Sequence, residues 1–216
     1  MKLTKFEHSC VILEKDNKSL VIDPGGLNGS LVPPTNCVAV VVTHEHFDHL
    51  NQDKLKEIFT ANPEASLFVN EGIEAKLEDA LKERATVMKS GQQEDATGFS
   101  LNFVGGLHEV IRPEVPRPIN VGVIVDELFF HPGDEHIVPD QPFVWLGLPL
   151  NAPWSKVSET NDFVKAAKAK HVIPIHDGLL NKVGISTYEN HIAAACEVAG
   201  SEYHSLTVGD SIDLIE

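Results

Sequence analysis

Short, valine-rich runs alternate with amphipathic helical stretches along this chain, and the alternation describes a layered α/β protein. Residues 37–42 are six consecutive apolar residues, four of them valine, as in a strand covered on both faces. Leu55, Ile58 and Phe59, then Ile73, Leu77, Ala80 and Leu81, recur at helical spacing. Strand patterns return after those helices, so sheet and helix must pack in layers.

Each element follows from local signals. Residues 10–13 and 20–22 read as strands joined by the turn Lys15-Asp16-Asn17-Lys18, and Asp23-Pro24-Gly25-Gly26 stops the second. The strand over 37–42 leads to a helix through Leu55 and Phe59. A strand over 67–70 and a helix over 73–81 come next. Residues 121–125 and 128–130 form a hairpin through Asp126-Glu127, which is not a favoured turn pair. A strand over 143–146, a helix over 155–168 and a strand over 171–175 follow. A helix with Ile192, Ala195, Cys196 and Ala199 on one face and a strand over 211–215 end the pattern.

Composition narrows the function classes. The 216 residues are 42% hydrophobic and 23% charged, which suits a single domain over 1–216 with a sizeable core. Seventeen basic against 32 acidic residues give a net charge of −15. Such a surface repels a phosphate backbone, so the expected partner is a small molecule and no nucleic acid. No apolar run reaches the roughly 18 residues of a membrane span, and residues 1–8 carry no apolar signal segment. The expectation is a cytoplasmic protein with no membrane partner, and a homo-oligomer is compatible with it. Cys10, Cys37 and Cys196 are far apart and read as reduced core thiols.

The histidines carry the chemistry. There are eleven, and the strand over 37–42 runs directly into Thr43-His44-Glu45-His46-Phe47-Asp48-His49-Leu50. Imidazoles and a carboxylate within six residues at the end of a buried strand are the ligands a borderline divalent ion prefers. Two histidines two apart project to one side of extended chain, and the following turn brings Asp48 and His49 beside them. This spacing differs from the helical His-Glu-x-x-His signature and suits two ions better than one.

At this motif the chain resembles the metallo-β-lactamase-fold hydrolases, whose hallmark is His-x-His-x-Asp-His. The resemblance continues through Gly105-Gly106-Leu107-His108-Glu109, Phe129-Phe130-His131-Pro132-Gly133-Asp134 and Ile173-Pro174-Ile175-His176-Asp177. Phe6-Glu7-His8-Ser9-Cys10 and Val21-Ile22-Asp23-Pro24 are similar to the ascorbate-phosphate-lactonase-like branch. The resemblance implies a four-layer αββα sandwich and two divalent metal ions. His44, His46 and His108 would hold the first ion, Asp48, His49 and His176 the second, with Asp134 bridging. Zinc is the first choice, manganese or iron the second. Glu135 follows Asp134 where many relatives have a small or hydroxylic residue.

The implied activity is hydrolysis of an ester, lactone or phosphodiester of a small soluble substrate by a hydroxide held between the ions, with Asp48 and Asp134 as the catalytic carboxylates. A nuclease of the same fold and an iron-bearing oxidoreductase are the alternatives. His8 and Asp23 are expected beside the site, Asp23 orienting a ligand histidine. Arg112 and Arg117, in a proline-stiffened segment after His108, are candidates for a substrate anion, although solvated loop charges are the favoured reading. His131 and His136 flank Asp134 and read as solvated loop histidines, with donation to a substrate the alternative, and His171, His191 and His204 read as structural ones.

Overall fold

The computed structural model describes residues 1–215. Its strands are β1 (Lys2–Lys5), β2 (Val11–Lys15), β3 (Lys18–Ile22), β4 (Cys37–Val41), β5 (Ser66–Val69), β6 (Ala85–Val87), β7 (Gln93–Ala96), β8 (Phe99–Leu107), β9 (Ile119–Val125), β10 (Phe129–His131), β11 (Trp145–Pro149), β12 (His171–Ile175), β13 (Glu202–Tyr203) and β14 (Ser211–Asp213). The helices are α1 (Gln52–Ala61), α2 (Glu71–Glu74), α3 (Asp79–Lys82), α4 (Val157–Ala167) and α5 (Lys182–Ala199). The first sheet has the order β14-β1-β2-β3-β4-β5-β6, and the second β13-β12-β11-β10-β9-β8-β7.

Alternation along the strands builds the layers. Leu13, Leu20, Ile22, Val41 and Phe68 of the first sheet meet Phe99, Phe103, Val123, Phe129 and Ile173 of the second in a central core. Val40 and Val42 point the other way and pack with Leu55, Ile58 and Phe59 of α1. On the outer face of the second sheet, Ile124, Leu146 and Leu148 pack with Phe163 and Val164 of α4 and Ile192 and Cys196 of α5. Helix, sheet, sheet, helix is the four-layer sandwich, and residues 37–42 are uniformly apolar because both faces of β4 are buried.

Both expected hairpin turns form with their two central residues left-handed: Asp16 and Asn17 at φ 50 and 57, Asp126 and Glu127 both at φ 54. That is the turn whose twist matches a hairpin. Lys15 of one turn pairs with Asp126 of the other, tying the two sheets together. The helix expected over 73–81 is instead the two short helices α2 and α3. Asn70 caps α2 by accepting from Gly72 and Ile73 N–H, and the Gln52 side chain takes the Glu78 N–H just before α3. The strand expected over 143–146 starts at Trp145 and runs on to Pro149.

Candidate metal centre

The centre forms where β3 and β4 of one sheet and β8, β10 and β12 of the other end together. Asp23, immediately after β3, sits left-handed at φ 50. Its Oδ1 accepts from Thr43 N–H at 2.8 Å, and its Oδ2 from Thr43 Oγ1 at 2.7 Å and His49 Nδ1 at 2.6 Å. Gly25 lets the Asp48–His49 backbone pass, since a Cβ there would lie 1.9 Å from the Asp48 carbonyl oxygen. The turn closes with His49 and Leu50 N–H both donating to the His46 carbonyl. Glu45 leaves the cluster and pairs with Lys76 at 2.6 Å.

The second sheet delivers its donors singly. His108 follows β8 and donates Nδ1–H to the Glu109 carbonyl at 2.6 Å. His176 follows β12 at φ 57 and donates Nδ1–H to the Asn151 carbonyl at 2.6 Å. Asp134 follows β10, and its N–H donates to Asn120 Oδ1 at 3.0 Å. Gly133, at φ 63, has no room for a side chain, because a Cβ would sit 2.3 Å from that same Oδ1. With carbonyls holding Nδ1–H, His108 and His176 present Nε2 as a lone pair, and Asp23 does the same for His49.

These lone pairs converge on one carboxylate. Nε2 of His49, His108 and His176 lies 3.2, 3.2 and 3.1 Å from Asp134 oxygens. All three Nε2 atoms and Asp134 Oδ1 are nevertheless buried without a well-aligned hydrogen bond. Donors this close but aimed past one another are what a shared cation requires, and buried polar atoms are otherwise paired. Two groups with mutually close ligand atoms emerge: His44, His46 and His108, and His8, Asp48, His49 and His176. Asp134 closes a third with His44 and His49. The donor set of imidazole nitrogen and carboxylate oxygen thus fits divalent metal ions.

Charge supports that fit. Burial holds the His44 imidazole well below its ordinary pKa, and the neighbouring His49 adds to the effect. For His49 burial acts downward, but the carboxylates of Asp134 and Asp23 outweigh it and raise the group. Burial would raise Asp134, yet His176 and His49 pull it well below the carboxylate range. Asp134 is thus an ionised donor and His44 a neutral one, while His176, like His49, is raised against its burial by Asp134. A cation entering beside Asp134 takes the place of protons that this carboxylate otherwise favours on the two rings.

Other side chains complete the site. His8, buried at φ 61, accepts Gly178 N–H on Nδ1 at 3.1 Å and so turns Nε2–H toward Asp48 Oδ2 at 3.0 Å. Trp154, not singled out in the sequence, donates Nε1–H to Asp134 Oδ2 at 2.7 Å. Lys5 and Asp177 form a buried ion pair at 2.7 Å behind His176. An aromatic residue and a lysine isolated in sequence gave no signal for these roles. Glu135 turns away from the donors and accepts from Gly106 N–H at 3.1 Å.

Some expectations need correction. His131 is fully buried, donating Nε2–H to the Ser9 carbonyl at 2.8 Å while Gly133 N–H donates to its Nδ1 at 3.2 Å. His136 stacks on Phe163 with ring centroids 4.9 Å apart. Neither is a solvated loop side chain. Arg112 is exposed, and Arg117 donates to the carbonyls of His108 and Leu107. A cleft of about 260 Å³ opens on the centre between His46, Phe47, Ile111, Trp154, His176 and Leu179. The structure brings neither arginine to its wall.

Residues 2–176 match the Beta-lactamase superfamily domain. The chain belongs to the metallo-β-lactamase superfamily. Over 83% of its length it is 31% identical to Protein Rv0786c of Mycobacterium tuberculosis, covering 85% of that protein. It is 26% identical to the UPF0173 metal-dependent hydrolase SSO0099 of Saccharolobus solfataricus over 78% of this chain and 81% of the relative. Among solved structures it is similar to Igni18, a metallo hydrolase from the archaeon Ignicoccus hospitalis. That likeness has a TM-score of 0.73 at 18% identity and covers 98% of this chain and 97% of the other; at that identity it establishes the fold. No described helix is long and apolar enough to cross a membrane.

Proposed function

We propose that this metal-dependent hydrolase of the metallo-β-lactamase superfamily is dinuclear and cleaves an ester, lactone or phosphodiester of a small substrate. His44, His46 and His108 would hold one ion, Asp48, His49 and His176 the other, and Asp134 would serve both. The supporting observation is the convergence of four buried, unpaired donor atoms from four distant segments. When bound, the ions lower the pKa of water from about 15.7 to about 7 and polarise the oxygen of the scissile group.

The protein's own groups do the rest. Asp23 and the Asn151 and Glu109 carbonyls hold the imidazoles in one tautomer. Trp154 Nε1–H fixes the Asp134 carboxylate. His8, kept neutral by burial, orients Asp48 through Oδ2, so that this carboxylate would hold an ion and stand beside the leaving group, to which it would relay a proton. The cleft is walled by Phe47, Ile111, Pro153, Trp154 and Leu179, with no lysine or arginine among its lining residues. That lining favours a neutral ester or lactone with an apolar arm over a phosphodiester.

Elemental analysis and a panel of esters, lactones and phosphodiesters test the reading together. Wild-type protein should retain two more ions per chain than a His44→Ala/His49→Ala variant, and Asp134→Ala should lose turnover while remaining folded. Unchanged hydrolysis in Asp134→Ala and His46→Ala would overturn it. Oxygen consumption by the iron-loaded protein, with no hydrolysis, would replace it with the oxidoreductase reading.

A further inference from the structure

His171, the first residue of β12, lies directly opposite Glu202, the first residue of β13, in a parallel register. His204 follows two residues after Glu202, so the three side chains emerge on one face of the sheet edge. Their ligand atoms form a triangle: His171 Nδ1 is 3.0 Å from His204 Nε2 and 3.5 Å from Glu202 Oε2, and His204 Nε2 is 3.8 Å from the same carboxylate oxygen. A tetrahedral ion with bonds of about 2.0–2.2 Å needs ligand atoms roughly 3.4 Å apart. The observed edges straddle that value.

Two further observations suit a cation. The imidazoles are half-buried, whereas Glu202 reaches solvent, so an ion could enter without displacing the core and keep a water on its open side. Trp145 stacks on His171 at 4.2 Å and meets the tilted His204 ring at 4.8 Å between ring centroids, holding both rings before any ligand arrives. His171 and His176 stand at opposite ends of β12, about 16 Å apart at strand spacing. The cluster is therefore separate from the candidate centre.

We propose that His171, Glu202 and His204 form a surface site for a divalent transition-metal ion of the zinc and copper class. The ion bridges β12 to β13 at the edge of the second sheet. It replaces the proton shared between the two imidazoles, and the Glu202 carboxylate supplies negative charge.

The chain has two tryptophans, so in a Trp154→Phe background Trp145 alone reports. Copper(II) added to that protein should quench its fluorescence at least twofold, and adding His204→Ala should abolish the quenching. Equal quenching in both proteins, or none in either, overturns the proposal. Equilibrium dialysis against zinc gives a second reading, with one ion more per chain in wild type than in His204→Ala. The exposed Glu202→Ala change leaves both rings stacked. It should weaken that ion by at least the roughly tenfold that loss of even an outer partner costs; unchanged affinity would overturn the assignment of Glu202.

Discussion

The two sheets equip the candidate centre in different ways. The first supplies His44, His46, Asp48 and His49 from one continuous turn, in which one carboxylate, Asp23, braces both Thr43 and His49 while His8 orients Asp48. The second supplies His108, Asp134 and His176 from the ends of three strands, each braced separately by the Glu109 carbonyl, Asn120 or the Asn151 carbonyl. A contiguous donor set is positioned by local backbone geometry. A dispersed one is positioned only by the register of the whole sheet, and its members share no brace. Loss of Asp23 should therefore disturb both ends of the turn together, and damage on the second sheet should stay local unless it strikes the carboxylate that the imidazoles of His49, His108 and His176 approach.

Asp134 is that carboxylate, and it gives the largest expected effect. Asp134→Ala should lower kcat/KM by about 10³-fold or more, the scale of several kcal/mol of charge stabilisation. His46→Ala, which removes one of the three donors proposed for one ion, should cost at least tenfold less. Equal losses would show that the two sheets contribute alike.

Stability comes next. Lys5 and Asp177 join β1 of the first sheet to the end of β12, where His176 emerges, and both side chains are nearly inaccessible. Removing one partner strands a buried charge at a cost of about 3–5 kcal/mol. Lys5→Met alone should therefore lower the denaturant midpoint sharply, and Lys5→Met/Asp177→Leu should recover most of the loss. A mild single-variant effect would mean that the pair does not brace the second sheet.

Asp23→Asn tests the first sheet's shared brace. The amide keeps the shape but not the charge that His49 Nδ1–H and Thr43 donate to, so metal affinity should fall about 10–100-fold with the fold intact. Zinc competition against a chromophoric chelator measures it. Asn120→Ala, which frees only the Asp134 backbone, should do less; the reverse order breaks the comparison.

Legibility in the sequence follows the same division. Residues 44–49 announce themselves because ligand atoms two to five residues apart need no tertiary structure to meet. His108, Asp134 and His176 became legible only through the glycine and strand patterns around them and the family likeness they carry. Trp154 and Lys5 act through contacts 20 and 172 residues away in sequence, and no local pattern encodes such contacts. The fold divides similarly. β4 and the Asp16-Asn17 turn are plain from a valine run and turn residues, and the Asp126-Glu127 turn only from the strand patterns on either side of it, whereas β1, β6, β7 and β13 are short edge or near-edge strands with mixed burial. Among these, β7 exposes Gln93, Glu94 and Asp95, so apolar periodicity cannot mark it. His171 and His204 look structural one at a time, and only the β12–β13 register brings them to Glu202.

The smallest effect separates the two arginines after His108. Arg117 donates to the carbonyls of His108 and Leu107 and so holds the loop from which His108 projects. Arg112 is exposed and away from the cleft. Arg117→Ala removes hydrogen bonds that are partly open to water, worth about 0.5–1.5 kcal/mol, and should lower Tm by roughly 2–4 °C per kcal/mol lost in a chain of this length. Because the loop carries His108, a proposed ion donor, the melting shift should be larger in the zinc-loaded protein than after chelation. Arg112→Ala should stay within about 0.5 kcal/mol of wild type and leave KM unchanged. If Arg112→Ala instead raises KM tenfold while Arg117→Ala is silent, the loop moves over the cleft when substrate binds, and the second sheet contributes a substrate clamp as well as ion donors.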